Sequence, residues 1–141
     1  RSRRILAAAF AFYRNYFFVF PKEQSNSFNY ALSKTIPYVI AKKDKYEKIV
    51  FSNQDNLYQS YMLYLFYSMY DPYLYQKQGG TKSGGFAQSH IFGKYNFTNL
   101  KSLELKQDYL YVGNKYDVKS GSVIRSFDNL NKEPEVYVFV K

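Results

Sequence analysis

Apolar positions along this chain change their period from segment to segment, and the changes mark out the elements. Ile5 to Phe12 is a continuous apolar stretch, interrupted at Arg14 and Asn15 and resumed as Tyr16 to Phe20 before Pro21 punctuates it. A membrane span needs roughly 20 apolar residues, so this stretch falls short of one. Phe28, Leu32, Ile36, Val39 and Ile40 then recur at helical spacing, with Ser27 placed as an N-cap. Pro37 falls inside that pattern, and the helix is expected to kink or split there. Lys42 to Lys48 is a charged connection, and Lys48 to Asn53 reads as a short buried strand.

Between Asp55 and Tyr70 the positions Leu57, Tyr61, Met62, Leu65, Phe66 and Met69 keep a helical period. Asp55 is expected to cap this helix and Asp71-Pro72 to end it. Tyr58, Tyr61, Tyr64, Tyr67 and Tyr70 step by three along the same helix, which makes it aromatic on most sides. A helix of that kind is usually buried, with its tyrosine tips reaching water. Strand followed by helix is the first half of a β-α-β unit and favours parallel pairing further on. Gln78 to Gly85 is a glycine-rich loop. Beyond it the period is that of strands: Tyr95 to Leu100, then Tyr109 to Val112 with a Gly113-Asn114 turn, then a hairpin of Val123 to Phe127 and Val136 to Val140 joined around Asn129 to Pro134. The expected fold is α/β, a small three-layer-like domain with a central mixed sheet, two main helices and a C-terminal β-hairpin. Residues 1–21 form a membrane-proximal aromatic segment and residues 22–141 the α/β domain.

Composition changes this picture in two ways. The chain carries 17 Tyr and 13 Phe with no Trp, enough rings to serve a core and an interface together. It has 20 Lys and Arg against 11 Asp and Glu, a formal charge of +9, which favours acidic membrane surfaces or other polyanions. The lysines are scattered, and the one basic cluster is Arg1, Arg3 and Arg4. An opening at Arg1 rather than Met points to a fragment or a processed chain. Without cysteine there is no disulfide, thiolate zinc site or cysteine nucleophile.

Candidate chemistry is sparse. His90 is the one histidine, so a metal site built on two or three His is excluded. No G-x-S-x-G elbow accompanies any serine. Gly79-Gly80-Thr81-Lys82-Ser83-Gly84-Gly85 has the glycines and the Lys-Ser pair of a phosphate loop, but the spacing fails and a helix precedes it. Asp55, Asp71, Glu104, Asp108, Asp117 and Asp128 show no diagnostic carboxylate spacing. No Asp-x-Asp motif for a metal–nucleotide donor is present, and no cofactor is expected. Open α/β sheets place ligands beyond the carboxyl ends of their strands. A groove is therefore expected near the end of strand 48–53 and the glycine-rich loop, lined by Tyr58, Tyr73, Tyr75, Gln76 and Phe92. Arg14, Tyr16, Phe17 and Phe18 suit a membrane–water interface, where amphipathic aromatics collect.

Several strings carry a family resemblance. Tyr16-Phe-Phe-Val-Phe-Pro-Lys-Glu23, Asp44-Lys-Tyr-Glu-Lys-Ile-Val-Phe-Ser-Asn53, Tyr64-Leu-Phe-Tyr-Ser-Met-Tyr-Asp-Pro72, Tyr75-Gln76 and Phe92-Gly93-Lys94-Tyr95 follow one another in order. Together they resemble the C-terminal extracytoplasmic domain of bacterial polytopic membrane glycosyltransferases related to dolichyl-phosphate-mannose protein mannosyltransferases. Pro37 departs from that pattern, where the family runs an unbroken helix. The resemblance implies a parent enzyme that moves a sugar from a polyprenyl-phosphate donor to a protein or glycan acceptor. It places this domain on the extracytoplasmic side of the cell membrane, against the membrane surface and the transmembrane part of the enzyme. The family's catalytic carboxylates belong to its membrane-embedded portion, so no catalytic residue carries over to this chain. The alternative is a free-standing basic, aromatic-rich module that binds polyanions or nucleic acid. Its aromatics follow core periodicity and its lysines do not concentrate on one element, which argues against nucleic acid.

Overall fold

The computed structural model describes residues 2–78, 80, 89–119 and 121–141. Most of the glycine-rich loop lies outside them. Helical backbone runs without a break from α1 (Ser2–Arg14) through a π-helical turn (Asn15–Val19) into α2 (Phe20–Glu23). Pro21 does not punctuate this rod as expected. A helix accepts proline in its first turn, and the change of winding at Phe20 gives Pro21 such a position.

A tight turn then leads into α3 (Tyr30–Lys42), where the left-handed Asn29 (φ 53°), and not Ser27, stands at the N-cap. Ser27 is exposed, while the buried Ser25 donates from Oγ to the Lys22 carbonyl at 2.9 Å. Pro37 does not split the helix: α3 continues through it to Lys42. Proline removes one backbone bond, while Ala31, Leu32, Thr35, Ile36 and Val39 bury a continuous face across it. That packing outweighs the missing bond.

A six-stranded sheet forms the centre, ordered β2-β3-β1-β4-β6-β5. Its strands are β1 (Lys48–Ser52), β2 (His90–Phe92), β3 (Tyr95–Thr98), β4 (Tyr109–Gly113), β5 (Ser122–Asp128) and β6 (Pro134–Val140). β1 lies parallel to both β3 and β4, and an antiparallel hairpin closes each side, β2–β3 on one and β5–β6 on the other. The fold is therefore α/β with a central mixed sheet. Side chains alternate between its faces, as the pleat requires. Ile49, Phe51, Tyr95, Phe97, Leu110, Val112, Val136 and Val138 form one core with α3 and α4. Val50, Tyr111 and Phe139 point the other way, onto Leu100 and Leu105. That second layer is covered by Leu100, in a short 3₁₀ turn (Leu100–Ser102), and by Leu105, while α3 and α4 lie on the first face.

The second predicted helix is shorter and turned differently from the expectation. After a 3₁₀ turn (Asp55–Leu57) comes α4 (Ser60–Tyr67), and Pro72–Lys77 forms a further helix, α5, where the sequence reading placed only an ending. Asp55 caps neither. Asp71 does cap, but for α5, accepting from the Tyr73 N–H at 2.8 Å. Leu57, Ser60, Tyr61 and Tyr64 face inward, whereas Met62, Phe66 and Met69 are exposed. Helical spacing alone could not choose between two apolar faces. The sheet chose the one whose tyrosines pack tilted or edge-on against Phe51, Phe97 and Tyr95.

Candidate functional site

The carboxyl ends of β1 and β4 lie side by side, and the segments that leave them diverge. Asp55 and Asn56 follow β1, while Asn114, Lys115 and Tyr116 follow β4. Between them, closed by Asn26, Pro134 and Glu135, is a hollow of about 260 Å³. A second hollow of about 280 Å³ adjoins it through the shared walls Asn26 and Asn56, and is completed by Ser27, Asn29 and Tyr58. Carboxyl ends of parallel strands are where open sheets hold ligands.

Hydrogen bonds fix the walls of this site. Asn114 Nδ2 donates to Asp55 Oδ2 at 3.0 Å, and Asn114 Oδ1 accepts the Tyr116 N–H at 2.8 Å. Buried Asp117 accepts the Asn114 N–H through Oδ2 at 3.0 Å, which closes the turn. Lys101 Nζ lies 3.4 Å from Asp55 Oδ2, both groups about half exposed, so that pair adds little stability. Asp55 itself sits at φ 54°, a left-handed conformation that Asp tolerates better than most residues. On the opposite wall Asn56 Nδ2 donates to Glu135 Oε1 at 2.5 Å. Burial holds the Glu135 carboxyl above the usual carboxylate range, partly offset by the Asn56 bond. Its Oε2 is buried with no partner among the described residues. The Asn26 carboxamide oxygen accepts from Asn129 Nδ2 at 3.2 Å.

Of the five residues expected to line a groove here, Tyr58 borders the second hollow. The others lie elsewhere. Phe92 is buried, stacked on Phe97 and paired with Tyr95, which in turn pairs with Ile49 near the start of β1. Tyr75 packs its edge on Phe92 at 5.7 Å, and Tyr73 and Gln76 are exposed on α5. Asn26, Asn56, Asn114, Tyr116 and Glu135 went unseen in the sequence because they come from four distant segments with no common spacing. For Asn56, Asn114 and Tyr116 a position just beyond a strand end was the available signal; Asn26, between two helices, and Glu135, at the start of β6, had none. His90 does not line the hollow: it stacks on Tyr61 at 3.8 Å, and burial lowers its pKa. Among the described residues, no group of three His, Asp or Glu side chains is placed to hold a metal ion.

The second feature is the α1–α2 rod. Ile5, Leu6, Phe10, Phe12, Tyr13, Tyr16, Phe17, Phe18 and Phe20 are all exposed along it, and Arg14 with them. Their rings contact one another, Phe12 stacked on Tyr16 at 5.6 Å and Tyr13 tilted against Phe17 at 4.9 Å. At the base of the rod Tyr16, Phe17, Phe20, Phe28, Tyr67 and Leu130 border an apolar hollow of about 430 Å³. Asn131 Nδ2 reaches the Lys22 carbonyl there at 3.2 Å and ties the rod to the β5–β6 turn. Among the described residues, no helix is long and apolar enough to cross a membrane. No protein family, characterised protein or solved structure matches this chain.

Proposed function

We propose that this chain is the non-catalytic extracytoplasmic accessory domain of a membrane glycosyltransferase. The parent enzyme transfers a sugar from a polyprenyl-phosphate donor to a protein or glycan acceptor, and this domain orients the acceptor or covers the active site. The observation that carries the reading is the helical rod with its exposed rings. Exposing that many aromatic side chains to water is unfavourable by about 1.5–3 kcal/mol for each ring that a partner would bury fully. Aromatic rings interleaved with Arg14 and followed by Lys22 fit the headgroup level of a bilayer, where ring bodies bury and basic tips meet phosphates. The rod enters the α/β domain directly at Ser25, so a membrane seated on the rod would hold the sheet close to the surface. The family resemblance of Tyr16–Glu23 and Asp44–Asn53 supports the same arrangement.

Sequencing the coding region upstream of Arg1 tests the proposal. The expected result is a series of apolar spans of roughly 20 residues each, with acidic residues in an outward-facing loop. A start codon directly upstream, with no such spans, overturns it and leaves the basic polyanion-binding module.

A further inference from the structure

The polar hollow beyond β1 and β4 is chemically unlike the aromatic rod, and a membrane would leave it unused. We propose that it is a carbohydrate subsite, in which Asn26, Asp55 and Asn56 read sugar hydroxyls while Tyr116 offers its ring at the edge. The inference deepens the accessory-domain reading and rests on it for the source of the sugar, an acceptor glycan.

The argument begins with the kinds of group on the walls. A sugar hydroxyl both donates and accepts a hydrogen bond, so a site that reads it needs both functions side by side. Asn26 has its carboxamide oxygen engaged by Asn129, and what it brings to the hollow is its amide nitrogen, a donor. Asp55 brings a carboxylate, an acceptor, and Asn56 brings a carboxamide whose orientation Glu135 fixes. An anionic ligand would find Lys115 and the amide nitrogens on these walls but would also meet the carboxyl groups of Asp55 and Glu135. An apolar ligand would leave all of these groups desolvated, each at a cost of about 1–3 kcal/mol.

The Tyr116 ring supports the same ligand. Tyr116 lines the hollow and is 65% exposed. The Lys115 ammonium sits 4.9 Å from the Tyr116 ring centre and takes up one side of it. A pyranose presents axial C–H groups on one flat side and hydroxyls around its rim, which matches an aromatic face next to an amide and carboxylate wall. Preorganisation is built in, because Asn114 and Asp117 hold the Tyr116 loop and Glu135 holds Asn56. The buried Glu135 Oε2 is a further acceptor on this wall without a donor among the described residues, and a hydroxyl or water entering the hollow would supply one.

The test is a titration of the full nitrogen-labelled chain, in lipid-free solution, with methyl α-mannopyranoside, methyl β-glucopyranoside and N-acetylglucosamine in turn, and with inorganic phosphate. The expected result is a saturable shift of the side-chain amide signals of Asn26 and Asn56 with at least one sugar. Tyr116→Ala and Asn26→Ala are each expected to weaken that binding about tenfold or more. Tyr116→Ala keeps the backbone N–H that Asn114 holds, so the loop keeps its form. Tyr73→Ala, on exposed α5, is expected to change nothing. Folded protein whose signals stay still with every sugar, signals moved by phosphate alone, or binding indifferent to both variants would each overturn the subsite. With no lipid in the assay, failure here leaves the accessory-domain reading standing. Absence of upstream spans would remove that reading without altering the titration.

Discussion

At the scale of single residues, the buried His90 and the half-buried Glu135 set opposite pH responses. Burial lowers the pKa of His90 from its ordinary 6.5, so the folded protein prefers the neutral ring. A depressed value contributes stability that is present above 6.5 and is lost as pH falls through the folded value. Burial raises Glu135 above its ordinary 4.5, so its contribution is present below 4.5 and is lost as pH rises through the raised value. His90→Phe keeps a flat ring against Tyr61 and removes the buried, unpartnered Nε2. Urea midpoints measured across pH should show a flatter acid limb in that variant. Glu135→Gln should flatten the limb above 4.5, because the glutamine still accepts from Asn56 and carries no charge to desolvate. Midpoint curves that keep their wild-type slopes in both variants would show that neither group carries the linkage.

At the scale of elements, α4 makes the sharpest prediction, because its two faces are both apolar and only one is packed. Tyr64 is buried among Phe51, Phe92, Tyr95 and Phe97, with centroid distances from 4.4 to 5.9 Å, and burial followed by Tyr95 pushes its phenol far above the ordinary tyrosine range. Tyr64→Ala should cost about 3–5 kcal/mol in urea unfolding, in the range of other large aromatic truncations. Phe66, 74% exposed two residues later, should tolerate serine within about 0.5 kcal/mol. Equal losses at both positions would mean that α4 is packed on two sides. The same helix shows where legibility ended. Strand periods identified β1, β3, β4 and β6, whose side chains alternate or are apolar on both faces of the sheet, and turn signals set off β5, an exposed edge strand; the three-residue β2 was too short to show a period. A period of 3.6 gave the existence of α3 and α4, but the face of α4 depended on stacking partners that lie 13 or more residues away. Caps at Ser27 and Asp55 failed for a related reason, since either residue type also suits a turn: Asn29 holds the N-cap of α3, and Asp55 lies in the 3₁₀ turn before α4, its carboxylate accepting from Asn114. A hollow lies where a rule about sheets put the expected groove, at the carboxyl end of β1, while the glycine-rich loop expected beside it lies mostly outside the described residues. The walls of the hollow were not legible, apart from Tyr58, because Asn26, Asn56, Asn114 and Glu135 meet only once the chain is folded.

At the scale of the whole molecule, two separable forces would bring it to a membrane, and they answer differently to salt. The formal charge of +9 attracts an anionic surface over a screening length of about 10 Å at 0.1 M salt, and that attraction fades as salt rises. Burial of the rod's rings does not depend on charge and persists. Flotation with phosphatidylglycerol vesicles should therefore show binding that weakens with salt to a residual level, and phosphatidylcholine vesicles should show the residual alone. Substituting Tyr16, Phe17 and Phe18 together by serine should remove that residual by about tenfold per ring, each ring contributing on the order of 1.5 kcal/mol or more on burial. The three side chains are more than half exposed, so the unfolding midpoint should stay near that of the wild-type chain. A polyanion-binding module behaves otherwise: its association is carried by phosphate contacts, falls steeply with salt to nothing, and is indifferent to these rings. Vesicle binding that vanishes at high salt and survives the triple substitution would assign the charge to such a module and leave the aromatic rod without a membrane role. A salt-resistant residual that the substitution abolishes assigns the rod to the bilayer, with the basic surface serving to bring it there.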